Sequence, residues 1–131
     1  MAQEVTHSSL KLAFLGDAVY ELVIRKQALD AVAGHVDKLN RFTKQHSMAA
    51  AQAKIADYLV SSEVLTEEEQ AVLKRGRNAK SASLPRSCTP AEYRKATGLE
   101  ALMGYLYLEG RMDRVEELIR TGAKVLEESG E

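Results

Sequence analysis

Apolar residues recur along this chain every three or four positions, the spacing that puts them on one face of a helix. Ala51, Ile55 and Leu59 share such a face, and Val115, Leu118, Ile119, Val125 and Leu126 form another stripe near the end. No segment alternates convincingly between apolar and polar, as a half-buried strand would. Start and stop signals divide the pattern. Ser8 or Ser9 can cap a first helix to about Leu29, and Gly34 follows it. Asp37 can cap a second helix over "KLNRFTKQH". Ser47 then begins or continues another helix, "SMAAAQAKIADYLV". Thr66 and Glu69 form a T-x-x-E capping box before "EEEQAVLKRG". Thr89 and Glu92 repeat it, with Pro90 at the first helical position. That helix runs to about Leu108, where Gly110 stops it. The pattern predicts an all-α fold of six or seven helices in a single domain over residues 1–131, with its core at about 9–127.

Composition changes this picture little. At 131 residues the chain suits one domain, and 45% apolar with 28% charged residues is ordinary for a globular protein. No apolar run approaches the roughly 20 residues of a membrane span. The start, "MAQEVTHSS", lacks the basic and apolar regions of a signal peptide. Cys88 is the lone cysteine, so neither an internal disulfide nor a cysteine zinc spacing is available. The expected setting is cytoplasmic. Net charge is −1, yet Gln70 to Ala91 holds no acid while containing Lys74, Arg75, Arg77, Lys80 and Arg86. A local basic patch of this kind matters more for nucleic-acid binding than the total charge.

Two carboxylates are out of character. Asp17 interrupts "LAFLGDAVYELVI", with Ala13, Phe14, Tyr20 and Glu21 one turn away. Glu100 stands in "ATGLEALMGYLYL", again among small and apolar residues and near Gly98 and Gly104. An acid that loses hydration there needs a cation, backbone donors or a metal ion. A salt bridge is the bland account. Gly16 inside the first helix points to a close backbone approach or a functional need, because glycine costs about 1 kcal/mol there relative to alanine. If the two helices pack together, the acids meet and repel, and one protonates unless a divalent cation joins them. Hard oxygen ligands favour Mg²⁺ or Mn²⁺ over zinc. A di-iron bundle is disfavoured, since it needs paired E-x-x-H motifs and only Glu4 to His7 offers one. His35 and His46 have no acid three residues before them, and His46 reads as a surface or capping residue.

"FLGDAV" (14–19) followed some eighty residues later by "LEALMGYLYL" (99–108) resembles the ribonuclease III domain. The short length and "RGRNAKS" (75–81) are similar to its short branch, Mini-ribonuclease III, which has no double-stranded-RNA-binding domain. The resemblance covers essentially the whole chain from about Ser9. It implies a Mg²⁺-dependent endoribonuclease (Mn²⁺ substituting) that cuts double-stranded RNA and leaves 5′-phosphate and 3′-hydroxyl ends. The branch further implies maturation of the large-subunit (23S) ribosomal RNA precursor. Carried over by position, Asp17 matches the catalytic aspartate and Glu100 the second metal-binding acid. Longer family members have two more acids, one turn before each; here those positions hold Ala13 and Thr97. Water and RNA oxygens would then complete much of the metal shell, with Glu21 a possible partial substitute.

The resemblance also implies a two-fold homodimer joined through the first helix, for which Leu12, Phe14, Leu15, Val19 and Leu22 are the apolar candidates. The competing reading keeps these residues in the chain's own core. Lys74, Arg75, Arg77 and Lys80 can contact phosphates across an A-form minor groove, with Asn78 and Ser81 on 2′-hydroxyls. Arg86, Arg94 and Lys95 are weaker candidates, and a solvated basic helix end is the alternative. A non-catalytic RNA-binding or ribosome-assembly module of the same fold is the alternative function. The presence of both Asp17 and Glu100 favours the enzyme.

Overall fold

A computed structural model of the chain describes residues 7–80 and 88–129. These residues form six helices in chain order: α1 (Ser9–Ala31), α2 (Val36–Ser47), α3 (Ala49–Ser61), α4 (Glu67–Asn78), α5 (Pro90–Leu108) and α6 (Met112–Ser129). Helices account for the fold, as the periodicity predicts. The expected contacts of Ser81 and Arg86 fall outside the described residues.

α5 is the central element, packing most extensively on α1 and then on α4 and α3, while α6 covers α3. Leu99, Leu102, Met103 and Leu106 from α5 meet Tyr20, Val23 and Ile24 from α1, Ile55 and Leu59 from α3, and Leu118 and Ile119 from α6. All of these side chains are essentially inaccessible to solvent. Burial of that kind contributes roughly 1.5–3 kcal/mol for each large side chain, which makes it the main stabilising term.

Glycines let α5 approach its neighbours. A Cβ placed on Gly16 would lie 1.6 Å from the Glu100 carbonyl oxygen, and one on Gly104 would lie 2.2 Å from that of Leu12. The α1–α5 crossing is therefore backbone against backbone. Gly76 and Gly98 bring α4 to α5 in the same manner, since a Cβ on Gly98 would lie 2.6 Å from the Leu73 carbonyl oxygen.

Both capping boxes form as predicted. Thr66 Oγ1 accepts from the Glu69 amide at 3.1 Å and Glu69 Oε1 accepts from the Thr66 amide at 2.9 Å. The corresponding bonds of Thr89 and Glu92 are both 3.1 Å. Glu69 also ties α4 to α6. Arg114 donates to it through Nε at 2.9 Å and Nη2 at 2.8 Å, although Glu69 is only 2% exposed. The buried carboxyl is thereby held below its usual range: desolvation alone would raise it, but the bonds from Arg114 and the Thr66 amide outweigh that.

Two local expectations, the Asp37 cap and a surface or capping His46, need correcting. Asp37 lies inside the first turn of α2 and does not cap it; His35 occupies the cap position without a side-chain bond. α2 and α3 are separate helices that break at Met48, which is extended at φ −65° and ψ 150°. The break follows from tertiary packing. The His46 carbonyl, which would accept from Ala50 in a continuous helix, accepts instead from the Tyr20 hydroxyl at 2.6 Å. His46 itself is buried and not on the surface. Its ring stacks on Phe42 with centroids 4.1 Å apart, and Nδ1 lies 2.9 Å from the Phe42 carbonyl oxygen.

Candidate active site

α1 buries Ala13, Gly16, Val19, Tyr20, Val23 and Ile24. Asp17 falls between these positions and is exposed to solvent. The dry environment expected for it belongs to its partner. Glu100 is half-buried on α5, immediately behind the Gly16–Gly104 crossing. That crossing brings the two acids within hydrogen-bonding reach. Desolvation first, and then the charge of Asp17, push the Glu100 carboxyl up to about 8. Without a cation near neutral pH, Glu100 tends to hold a proton.

Two further side chains complete the surroundings. Gln52, in the first turn of α3, lies close enough to the Glu100 carboxyl to oppose the upward shift. Tyr20 lies close enough for the Glu100 charge to act on it. Its hydroxyl is held well above its usual range, by burial first and by that charge second. Sequence reasoning missed Gln52. A signal existed: with Ile55, Ala56 and Leu59, Gln52 occupies the apolar stripe of α3, where an amide is out of place.

The positions that hold acids in longer relatives do not supply ligands here. Ala13 is buried, and the Thr97 hydroxyl donates to the Tyr93 carbonyl of its own helix at 2.9 Å. Glu21 is committed elsewhere, accepting from Arg25 Nε at 2.9 Å. Among the described residues no cluster of three or more His, Cys, Asp or Glu is arranged to hold a metal ion. The donor set is two carboxylates. That fits Mg²⁺ or Mn²⁺, which keep several waters and take the rest of their shell from phosphate oxygens. It does not fit structural zinc, which requires four protein ligands.

The basic candidates lie mainly on a helix and not in a loop. Lys74, Arg75, Arg77 and Asn78 belong to the last turns of α4, and Lys80 follows its end. Helical geometry turns Lys74, Arg77 and Asn78 to one side and Arg75 to another. Arg75 lies near Tyr105, whose hydroxyl is raised to about 12 mainly by its hydrogen bond to Glu68. Of the weaker candidates, Arg94 is exposed, whereas Lys95 pairs with Asp57 at 3.0 Å.

The interface candidates divide. Phe14 is 84% exposed, and with Leu22 at 53% and Leu29 at 69% it forms an apolar outer strip on α1. Leu15 is half-buried against the core and Leu12 is half-buried. Val19 is corrected: it sits in the chain's own core at 5% exposure, because it shares a face with Tyr20 and Val23 and not with Phe14.

Comparison with known proteins places this arrangement. The ribonuclease III domain model matches residues 10–111, a span that includes both acids and both glycines of the crossing. The chain belongs to the ribonuclease III family. Within the family it is of the Mini-ribonuclease 3 type. It is 43% identical to the Mini-ribonuclease 3 of Symbiobacterium thermophilum over 97% of this chain and 96% of that one. It is 40% identical to that of Enterococcus faecalis over 95% and 94%. A crystal structure of a Fusobacterium nucleatum protein superimposes with a TM-score of 0.80 at 38% identity, covering 92% of this chain and 94% of that chain.

Proposed function

We propose that the chain is a divalent-metal-dependent endoribonuclease that cuts double-stranded RNA as a two-fold homodimer. The observation that carries this is the acid pair itself. Asp17 and Glu100 come together at a glycine crossing in a chain of the ribonuclease III family, with the Glu100 carboxyl raised by desolvation first and by the Asp17 charge second. Carboxyls perturbed by desolvation together with a specific charge partner cluster at functional sites.

The carboxylates of Asp17 and Glu100 would hold Mg²⁺ or Mn²⁺, which orients and helps to deprotonate a water and stabilises charge gathering on the scissile phosphate. Asp17 faces solvent, so an RNA phosphate can approach it without rearrangement of α1. A cation held by both carboxylates would favour the ionised form of Glu100 by offsetting the repulsion from Asp17. The packed crossing keeps both carboxylates in register, and ligands need such support. Lys74, Arg77 and Lys80, with Asn78, provide a basic surface for the duplex backbone. Hydrolysis leaves 5′-phosphate and 3′-hydroxyl ends. The cellular substrate in this reading is precursor 23S ribosomal RNA, in line with the branch that the chain resembles.

The exposed strip of Phe14, Leu22 and Leu29 supports the dimer, since contiguous apolar surface of this kind marks contact sites. Two-fold symmetry would set one acid pair against each strand. The test is incubation with a perfect RNA duplex, with and without Mg²⁺, for the wild type and Asp17→Asn. Discrete cuts should appear only for the wild type with metal. Cleavage in the absence of any divalent ion, or undiminished cleavage by Asp17→Asn, would falsify the assignment.

A further inference from the structure

Among the described residues, three buried side-chain atoms have no hydrogen-bond partner: His46 Nε2, Ser47 Oγ and Ser62 Oγ. A serine hydroxyl can rotate toward a carbonyl or a water. The imidazole cannot. Its ring stacks on Phe42, and Nδ1 lies 2.9 Å from the Phe42 carbonyl oxygen. A carbonyl only accepts, so Nδ1 carries the hydrogen and Nε2 of the neutral ring is left with a lone pair. Glu127, in the last turn of α6, brings its Oε2 to 3.7 Å from that nitrogen. Two acceptors thus stand side by side, and a buried polar atom without a partner costs free energy.

We propose that His46 Nε2 and the Glu127 carboxylate are ligands of a second divalent-metal site, one that takes a nitrogen-binding ion of the Zn²⁺ type. At 3.7 Å the two atoms are too far apart for a hydrogen bond. An ion about 2.0–2.1 Å from an imidazole nitrogen and about 2.0–2.2 Å from a carboxylate oxygen would hold them roughly 125° apart, a small closure from tetrahedral. Glu127 can supply that closure, since its side chain is 55% exposed while the ring is held in place. Histidines that bind metals give their other N–H to a carboxylate or a backbone carbonyl, as His46 does to Phe42. Both side chains line a cavity of about 370 Å³, where Gln45 and Met48 offer an amide oxygen and a thioether. Lys54 lines it too and opposes a cation, but it is exposed and its long stem can carry the ammonium outward. The imidazole separates this site from the acid pair, whose oxygens suit Mg²⁺. With two protein ligands assured and water completing the shell, the ion exchanges with solvent and is not locked in as a closed structural centre. Bound there, it would tie the end of α6 to the α2–α3 break, where the His46 carbonyl already accepts from Tyr20 of α1.

The experiment titrates Zn²⁺ into wild type, Glu127→Gln, His46→Phe and Asp17→Asn by calorimetry, with Mg²⁺ in excess to occupy the acid pair. Co²⁺ absorption and thermal melting with and without Zn²⁺ are recorded alongside. Glu127→Gln changes an exposed side chain and should fold like wild type; phenylalanine at 46 keeps a flat ring against Phe42. Wild type and Asp17→Asn should each bind one Zn²⁺ per chain and melt higher with it. Their Co²⁺ complexes should show the visible absorption of a four-coordinate ion with a nitrogen ligand. Glu127→Gln should bind about tenfold or more weakly, because losing a ligand costs at least as much as losing an outer-shell partner. His46→Phe should lose the site. Equal Zn²⁺ affinity in wild type and Glu127→Gln overturns the proposal, whether or not His46→Phe folds. So does Zn²⁺ binding that Asp17→Asn abolishes, which would put the ion at the acid pair. Wild type that binds no Zn²⁺ also overturns it, and would leave His46 and Glu127 an imidazolium–carboxylate ion pair only.

Discussion

Glu100 carries the electrostatic tension of the site, and it makes the metal-free protein sensitive to pH. Its ordinary value is 4.5, and in the folded chain it is raised to about 8. Between these values the folded state retains a proton that the unfolded state has released. Stability of the metal-free protein should therefore fall as pH rises from 4.5 to about 8, then level off with respect to this group. Asp17→Asn removes the second cause of the shift and should shallow that decline, leaving the desolvation part. Glu100→Gln should remove it entirely. Urea midpoints at several pH values in the presence of a chelator test this, and equal slopes in all three proteins would refute it. Mg²⁺ should stabilise the protein more as pH rises, because the ion competes with that proton.

At the scale of elements, the α1–α5 crossing positions the acids. Gly104→Ala would drive a methyl group to 2.2 Å from the Leu12 carbonyl oxygen, a backbone atom that cannot rotate away. The helices must separate, and overpacking of this kind costs roughly 1–3 kcal/mol or more. Gly110→Ala is the control. It carries φ +75° with nothing within 4 Å of a new Cβ, so it should cost only about 1 kcal/mol of backbone strain. Only Gly104→Ala should also depress cleavage. Equal effects of the two on stability and activity would show that the crossing is tolerant. The end of α4 is a second element with a distinct role. Changing Arg75, Arg77 and Lys80 together to alanine should weaken duplex binding and flatten its salt dependence, since fewer counterions are released. Saturating RNA should restore most of the single-turnover rate, because phosphate contacts supply uniform binding. A rate limit as low as that of Asp17→Asn would place these residues in the chemistry.

For the whole molecule, the relevant surface is the outer side of α1. Phe14 is 84% exposed, so Phe14→Glu removes no core contact. That variant should stay folded and become monomeric at micromolar concentration. Leu15 is half-buried against the core, so Leu15→Glu should lower stability as well. Light scattering with circular dichroism distinguishes the two outcomes. A wild-type monomer at the same concentration would remove the dimer from the proposal. Acidic substitution at Phe14 also introduces charge near Asp17, so the oligomeric state and not activity is the appropriate measure.

Periodicity and capping chemistry alone specified the helices, because both are local. Thr66, Thr89 and Pro90 satisfy helix ends within three residues, and no distant partner is needed to see it. Asp17 and Glu100 were also legible, as acids set within otherwise small and apolar stretches. Contacts between distant segments decided the rest. Which acid is desolvated depends on the rotation of α1 against α5, and that rotation exposes Asp17 while burying Val19 in the core. The break at Met48 depends on a hydroxyl from Tyr20, twenty-six residues before the carbonyl it binds. Arg114 reaches Glu69 across forty-five residues. Local sequence encodes where a helix begins and which side is apolar. Which side chains meet is set by how six such helices bury those sides together.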